Sequence, residues 1–101
     1  MIRVELSDQA RWDLARLADF LAEKNPPAAR ATATLVVDAL RILTRYPRIG
    51  RPAAHPPLRE LVIQRGRAGY VALYRVDPLE RFVEILAIRH QRESGYQEED
   101  L

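Results

Sequence analysis

The sequence predicts an α+β fold in the order β-α-α-β-β-β, with an N-terminal helical hairpin packed on one face of an antiparallel sheet. Three observations lead there. The opening residues alternate apolar and charged; residues 8–46 carry apolar side chains at helical spacing in two stretches split by Asn25-Pro26-Pro27; and residues 58–88 hold three apolar runs joined by short turn sequences. At 101 residues and 48% hydrophobic content, the chain is expected to form one domain over 1–101, with 91–101 as a C-terminal tail.

Ile2, Val4 and Leu6 alternate with Arg3 and Glu5, the pattern of a short half-buried strand. Ser7 reads as the N-cap of a helix over 8–24, with Asp8 favourably placed in its first turn and Ala10, Leu14, Leu17, Ala18 and Leu21 on one face. Trp12 and Phe20 lie off that stripe and are expected to pack beneath a neighbouring element; the sharper alternative makes Trp12 part of a partner-binding surface. Asn25-Pro26-Pro27 ends this helix and begins the next, because asparagine caps well and proline is tolerated in a first turn. The second helix buries Ala29, Val36, Ala39, Leu40 and Leu43, widened by Leu35, Ile42 and Tyr46, and turns Arg30, Thr34, Asp38, Arg41 and Arg45 to water.

Residues 47–57, with Pro47, Gly50, Pro52, Pro56 and Pro57, read as an ordered loop without regular structure. Strands follow over 58–64, 70–76 and 81–88. Gly66 to Gly69 supplies one turn and Asp77-Pro78-Leu79-Glu80 the other, aspartate first and proline second as a type I turn prefers. Links this short imply antiparallel pairing. The last run, Phe82 to Ile88, is the most uniformly apolar and is expected to be a central strand.

Charge is unevenly distributed. Residues 1–40 hold five cations and six acids, 41–75 eight arginines against Glu60 alone, and 76–101 three cations and seven acids. Fifteen of the sixteen cations are arginine, which makes bidentate contacts to carboxylate or phosphate, so an anionic partner is favoured over a merely solvated surface. The absence of cysteine excludes disulfides and thiolate metal sites and fits a reducing cytoplasm. No window approaches a membrane span and no leader is expected, so the protein reads as cytoplasmic with no membrane partner.

His55 and His90 are too far apart in sequence for a zinc site, and neither a Walker lysine loop nor a dinucleotide fingerprint occurs, so no metal and no cofactor is expected. Ser7 is better explained as a cap than as a nucleophile. What remains is Arg59, Arg65, Arg67, Arg75, Arg89, His90, Arg92 and Tyr96, most of them at strand ends. Metal-independent RNA cleavage needs a base for the ribose 2′-hydroxyl, an acid for the leaving oxygen, and fixed cations for the charge developing on phosphorus. As an imidazole, His90 suits either proton role, while Tyr96 would stack a base or donate a proton. The bland alternative has His90 ending the strand against a carbonyl. Arg59 and Arg75 are candidates to clamp an anion on the open sheet face, or else to pair with Glu60, Glu84 or the acidic tail. If Arg89 and His90 sit at the rim, replacing both by alanine leaves a folded protein.

The order of elements, Gly50-Arg51-Pro52 after the second helix, Leu58-Arg59-Glu60-Leu61, Gly69-Tyr70-Val71-Ala72-Leu73-Tyr74-Arg75 and the ending Ile88-Arg89-His90-Gln91-Arg92-Glu93-Ser94-Gly95-Tyr96 resemble the RelE/ParE superfamily of bacterial type II toxins. The resemblance covers nearly the whole chain. It implies a cytoplasmic toxin held inactive by a cognate antitoxin, the pair binding operator DNA through the antitoxin. RelE-like members cleave mRNA on the ribosome, commonly with an arginine directly after a Gly-Tyr pair and with C-terminal basic and tyrosine residues. ParE-like members poison DNA gyrase and have largely lost that set. Here Val71 follows Gly69-Tyr70 and the sole lysine, Lys24, is far from the sheet in sequence, which favours the ParE-like, non-catalytic branch. On that reading Arg59, Arg75, Arg89 and Arg92 bind target or antitoxin. The alternative is a metal-independent mRNA endonuclease using His90 and Tyr96 with Arg59, Arg75 and Arg89, and a second alternative, from charge alone, is a non-toxic nucleic-acid-binding module.

Overall fold

A computed structural model describes residues 1–65 and 68–90. Strand β1 (Arg3–Leu6) leads into helices α1 (Asp8–Lys24) and α2 (Pro26–Ile42), followed by β2 (Arg51–Pro52), β3 (Arg59–Arg65), β4 (Ala68–Val76) and β5 (Phe82–His90). The strands form one sheet in the order β1-β5-β4-β3-β2. The three consecutive strands β3, β4 and β5 pair antiparallel as their short links require, whereas β1 joins β5 in parallel, so the sheet is mixed. The last strand is interior, flanked by β1 and β4.

Ser7 and Asn25 set the helical hairpin. The Ser7 hydroxyl accepts the Ala10 N–H at 3.0 Å and donates to the Leu86 carbonyl, while the Ser7 N–H reaches the Ile85 carbonyl, so one residue caps α1 and fastens it to β5. Asn25 closes α1 through its N–H to the Leu21 carbonyl and opens α2 by accepting the Ala28 N–H on its side chain. A single extended residue thus serves both helices.

The core lies between the hairpin and one sheet face. Ala10, Val36, Leu40 and Leu43 meet Ile63, Tyr70, Ala72, Tyr74, Val83, Ile85 and Ile88, with Ile2, Val4 and Leu6 at the margin. Register assigns the two faces. Leu61, Ala72 and Ile88 share a row, as do Ile63, Tyr70 and His90, and Arg59, Tyr74 and Ile85, all toward the helices; Glu60, Leu73 and Ala87, then Val62, Val71 and Arg89, then Arg75 and Glu84, occupy the opposite face. Leu86 has no partner on β4, because the register shifts by one residue there.

Several expectations are corrected. Trp12 and Phe20 are 60% and 54% exposed, so no element among the described residues covers them. Helix α2 ends at Ile42 and the chain turns through residues 43–45, which leaves Ile42 and Tyr46 outside the core; Thr32, unforeseen as a core position, is buried. The proline-rich loop contains a strand after all, since Arg51 and Pro52 pair with Glu60 and Arg59 as a two-residue edge, a position proline tolerates. Ala68 and Gly69, expected in the turn, belong to β4 and pair with Arg65 and Gln64.

Candidate functional site

Arg59 opens β3 on the helix-side row and its guanidinium donates to the carbonyls of Gly50 (2.6 Å) and Arg48 (3.2 Å). These contacts pin the loop that carries β2. The same loop is held from beneath by Tyr74, whose hydroxyl accepts the Gly50 N–H at 2.8 Å. Tyr74 is fully buried, and burial pushes its phenol above the ordinary tyrosine range. A Cβ at Gly50 would stand 2.6 Å from both the Glu60 carbonyl oxygen and the Tyr74 hydroxyl, so only glycine fits. A cleft of about 280 Å³ lies alongside, lined by Arg48, Pro52, Pro56, Pro57, Leu58 and Arg59 with Val76. Arg48 in turn pairs with Glu80, and Arg51 with Glu60.

Arg75 stands on the opposite face. Its Nε donates to Glu84 Oε1 at 2.8 Å and its guanidinium lies 5.2 Å from the Phe82 ring centroid. Arg59 and Arg75 therefore do not converge on one anion: they lie on opposite faces of the sheet. Of the two roles considered for Arg75, pairing with Glu84 is the one the structure shows.

Arg89 departs most from expectation. Its register row lies on the face away from the helices, yet the guanidinium turns past the strand edge to Asp13 of α1, whose carboxylate is wholly buried while the Arg89 side chain is 12% exposed. The pair also serves the backbone. Strand β1 stops opposite Ile85, so among the described residues no strand pairs with the β5 edge beyond it. There the Ile88 N–H donates to Asp13 Oδ2 at 2.9 Å and the Ile88 carbonyl accepts from Arg89 at 3.2 Å, while Gln9 holds the other Asp13 oxygen at 2.9 Å. Asp13 was not among the residues singled out from sequence. An aspartate one position before the helix stripe at Leu14 was the available signal, and its meaning depends on a contact 75 residues away.

His90 follows on the helix-side row, half-buried, its ring 5.3 Å from that of buried Tyr70 and nearly perpendicular to it. Arg89 and His90 are thus brought together at the end of β5 but point to different surroundings. Arg92 and Tyr96 lie outside the described residues.

The hairpin presents a different surface. Trp12, Arg16, Phe20 and Lys24 recur every four residues along α1, with Arg16 5.4 Å from the Trp12 centroid and Lys24 4.7 Å from that of Phe20. Between the helices runs an apolar groove of about 280 Å³, lined among others by Leu14, Leu17, Leu21, Ala29, Val36 and Val37. Among the described residues, no helix is long and apolar enough to cross a membrane.

Residues 4–95 match the family described as the ParE toxin of the type II toxin-antitoxin system, parDE. The chain is 37% identical over 93 residues to Toxin RelE3 of Caulobacter vibrioides, covering 92% of this chain and 98% of that protein, and 38% identical over 73 residues to Toxin RelE1 of the same organism, covering 72% and 77%. Among solved structures, a chain of the chromosomal ParDE TA system from P. aeruginosa superposes with a TM-score of 0.76 at 24% identity, covering 89% of this chain and 96% of that one. The toxin-antitoxin complex RelBE2 from Mycobacterium tuberculosis gives 0.58 at 29% identity, covering 89% and 98%. A mutant of E. coli toxin RelE in the free state gives 0.63 at 15% identity, covering 92% and 86%, a likeness of fold. The two-helix, mixed-sheet architecture, the nearly full-length family match and the identity to named toxins lead to one conclusion: the chain belongs to the ParE toxin family and is the toxin of a type II toxin–antitoxin system, partnered by a cognate antitoxin.

Proposed function

We propose that this toxin acts in the cytoplasm as a ParE-like inhibitor of DNA gyrase, disabling its target by binding rather than by cutting a phosphodiester. The observation that carries this reading is the internal engagement of the candidate cations. Arg59 holds loop carbonyls, Arg75 holds Glu84, and Arg89 holds buried Asp13. Cleavage of RNA requires cations aimed at the charge developing on phosphorus, and a guanidinium already paired with carboxylate serves that purpose poorly. Val71 at the position after Gly69-Tyr70, and the match to the ParE family, support the same branch.

A second reading, ribosome-dependent mRNA cleavage without a metal, is favoured by His90 at the end of β5 beside Tyr70 and by the similarity to proteins named RelE. Purified toxin assayed side by side on gyrase and on ribosome-bound mRNA separates the two. Stabilised gyrase–DNA cleavage complexes with intact mRNA are expected; cut mRNA with unaffected supercoiling would reverse the assignment.

On the same proposal, the antitoxin covers the apolar outer side of the hairpin, bringing an apolar helix or strand and carboxylates that meet Arg16 and Lys24, and folding as it binds. Operator DNA is then contacted through the antitoxin. Trp12→Ala and Phe20→Ala should each weaken antitoxin binding, by calorimetry, without lowering the melting temperature, since both rings are exposed. Unchanged affinity in both variants would move the seat elsewhere.

A further inference from the structure

We propose that Asp13 is a positioning residue of the toxin, which fixes the C-terminal end of β5 through Arg89 and so sets the orientation of His90 against Tyr70. Three observations meet at this point. The Asp13 carboxylate has no solvent exposure, and Arg89 is nearly as buried. Together they take both backbone polar groups of Ile88 on the stretch of edge that β1 does not reach. The two hydrogen bonds that a neighbouring strand would make to Ile88 are thus supplied by one side-chain pair, which holds the strand close to its end. The next residue after that pair is His90, whose ring meets Tyr70, the row partner it faces across the ladder.

A carboxylate in this place does more than fill space. It is acceptor to Ile88 and Gln9 and counter-charge to Arg89 at once, so α1 and the end of β5 move as one piece. Asparagine at the same position keeps an acceptor for Ile88 but leaves the Arg89 charge buried without its carboxylate. The inference rests on the reading that this end of the sheet takes part in toxin action, and it holds for either target.

The test compares the full-length parent with Asp13→Asn and with the double variant Asp13→Asn/Arg89→Gln, which removes both charges while keeping an acceptor and an amide donor. Three readouts apply: hydrogen exchange at the Ile88 amide, the NMR signals of the His90 ring, and growth inhibition on expression without antitoxin. Asp13→Asn should speed Ile88 exchange about tenfold or more, shift the His90 signals and abolish growth inhibition, and the double variant should recover all three in large part. Parent-like Ile88 exchange and His90 signals in Asp13→Asn would overturn the proposal. So would altered signals with full growth inhibition, or a double variant with parent-like signals that no longer inhibits growth, since Arg89 would then touch the target itself. If both variants unfold wholesale, the pair is general core and the proposal falls. A failure of the gyrase reading would show separately, in the assays of the parent protein on gyrase and mRNA.

Discussion

Near the start of β5, Glu84 pairs with Arg75 across the ladder on the face away from the helices; at its end, Arg89 pairs with Asp13 around the strand edge. Both are arginine–carboxylate contacts involving the same strand. They differ in surroundings, with side chains 38% and 29% exposed in the first and 12% and 0% in the second. They differ also in what else depends on them, because Asp13 and Arg89 satisfy the Ile88 backbone while Glu84 sits in an intact ladder. The same chemistry is therefore a surface ornament at one end and a structural closure at the other. Water screens the first pair far more than the second, as their exposures require.

The largest effect should come from breaking the second pair. Arg89→Ala leaves the Asp13 charge buried without its partner, for an expected loss of about 3–5 kcal/mol of stability in chemical denaturation. Arg89→Ala with His90→Ala is accordingly expected to unfold readily, against the expectation from sequence that a rim position tolerates both changes. A loss below about 1 kcal/mol would place Arg89 on the same footing as an exposed pair.

Next in size is the loop end of the sheet, where Gly50 supplies the close approach. Gly50→Ala drives a methyl into the Glu60 carbonyl and the Tyr74 hydroxyl, and overpacking of this kind costs about 1–3 kcal/mol. Tyr74→Phe leaves the buried Gly50 N–H without its acceptor and should cost about as much, 1–3 kcal/mol, with no steric component. Equilibrium unfolding of both variants checks whether the loop is held by the space or by the bond. Arg75→Ala, in contrast, should change stability by about 1 kcal/mol or less.

Much of this architecture is legible in the sequence because local rules agree with the global fold. Ser7 and Asn25 cap as their side chains require, the Asn25-Pro26-Pro27 break falls where two helices meet, and the short links around Gly66 and Asp77 enforce antiparallel neighbours. The candidate site is less legible. Which face a strand arginine occupies follows from register, and placing Arg59 with Tyr74 but Arg75 with Glu84 requires knowing that residues 59 and 74 are partners. The parallel seat of β1 beside β5, and with it the gap that Asp13 fills, arises from residues some 80 positions apart, to which no local pattern speaks. Trp12 and Phe20 show the converse: large aromatic side chains suggest burial by composition, while their angular position on α1 already placed them off the core stripe.

The smallest effect concerns the turn that leads into β5, and it sharpens the comparison by adding a third arginine–carboxylate pair. Asp77 accepts from the Arg81 backbone N–H at 3.1 Å and from its Nε at 2.8 Å, and this side-chain hydrogen bond holds the Asp77 carboxyl below the usual aspartate range. A folded value below the unfolded one stabilises the fold at pH above the unfolded aspartate value of about 3.9. The contribution fades as pH falls through that value toward the lower folded one, where protonation removes the acceptor charge. Asp77→Asn should therefore lower stability slightly at neutral pH and flatten the acid limb of the stability profile below about pH 4. Unlike Asp13, Asp77 pairs with an arginine whose side chain is 65% exposed, so water can replace the lost contact and the strand it introduces keeps its ladder. Equal acid limbs in parent and variant would mean that the turn is held by its backbone bonds, from the Asp77 N–H to the Phe82 carbonyl and from the Glu80 N–H to the Asp77 carbonyl, and not by the charge.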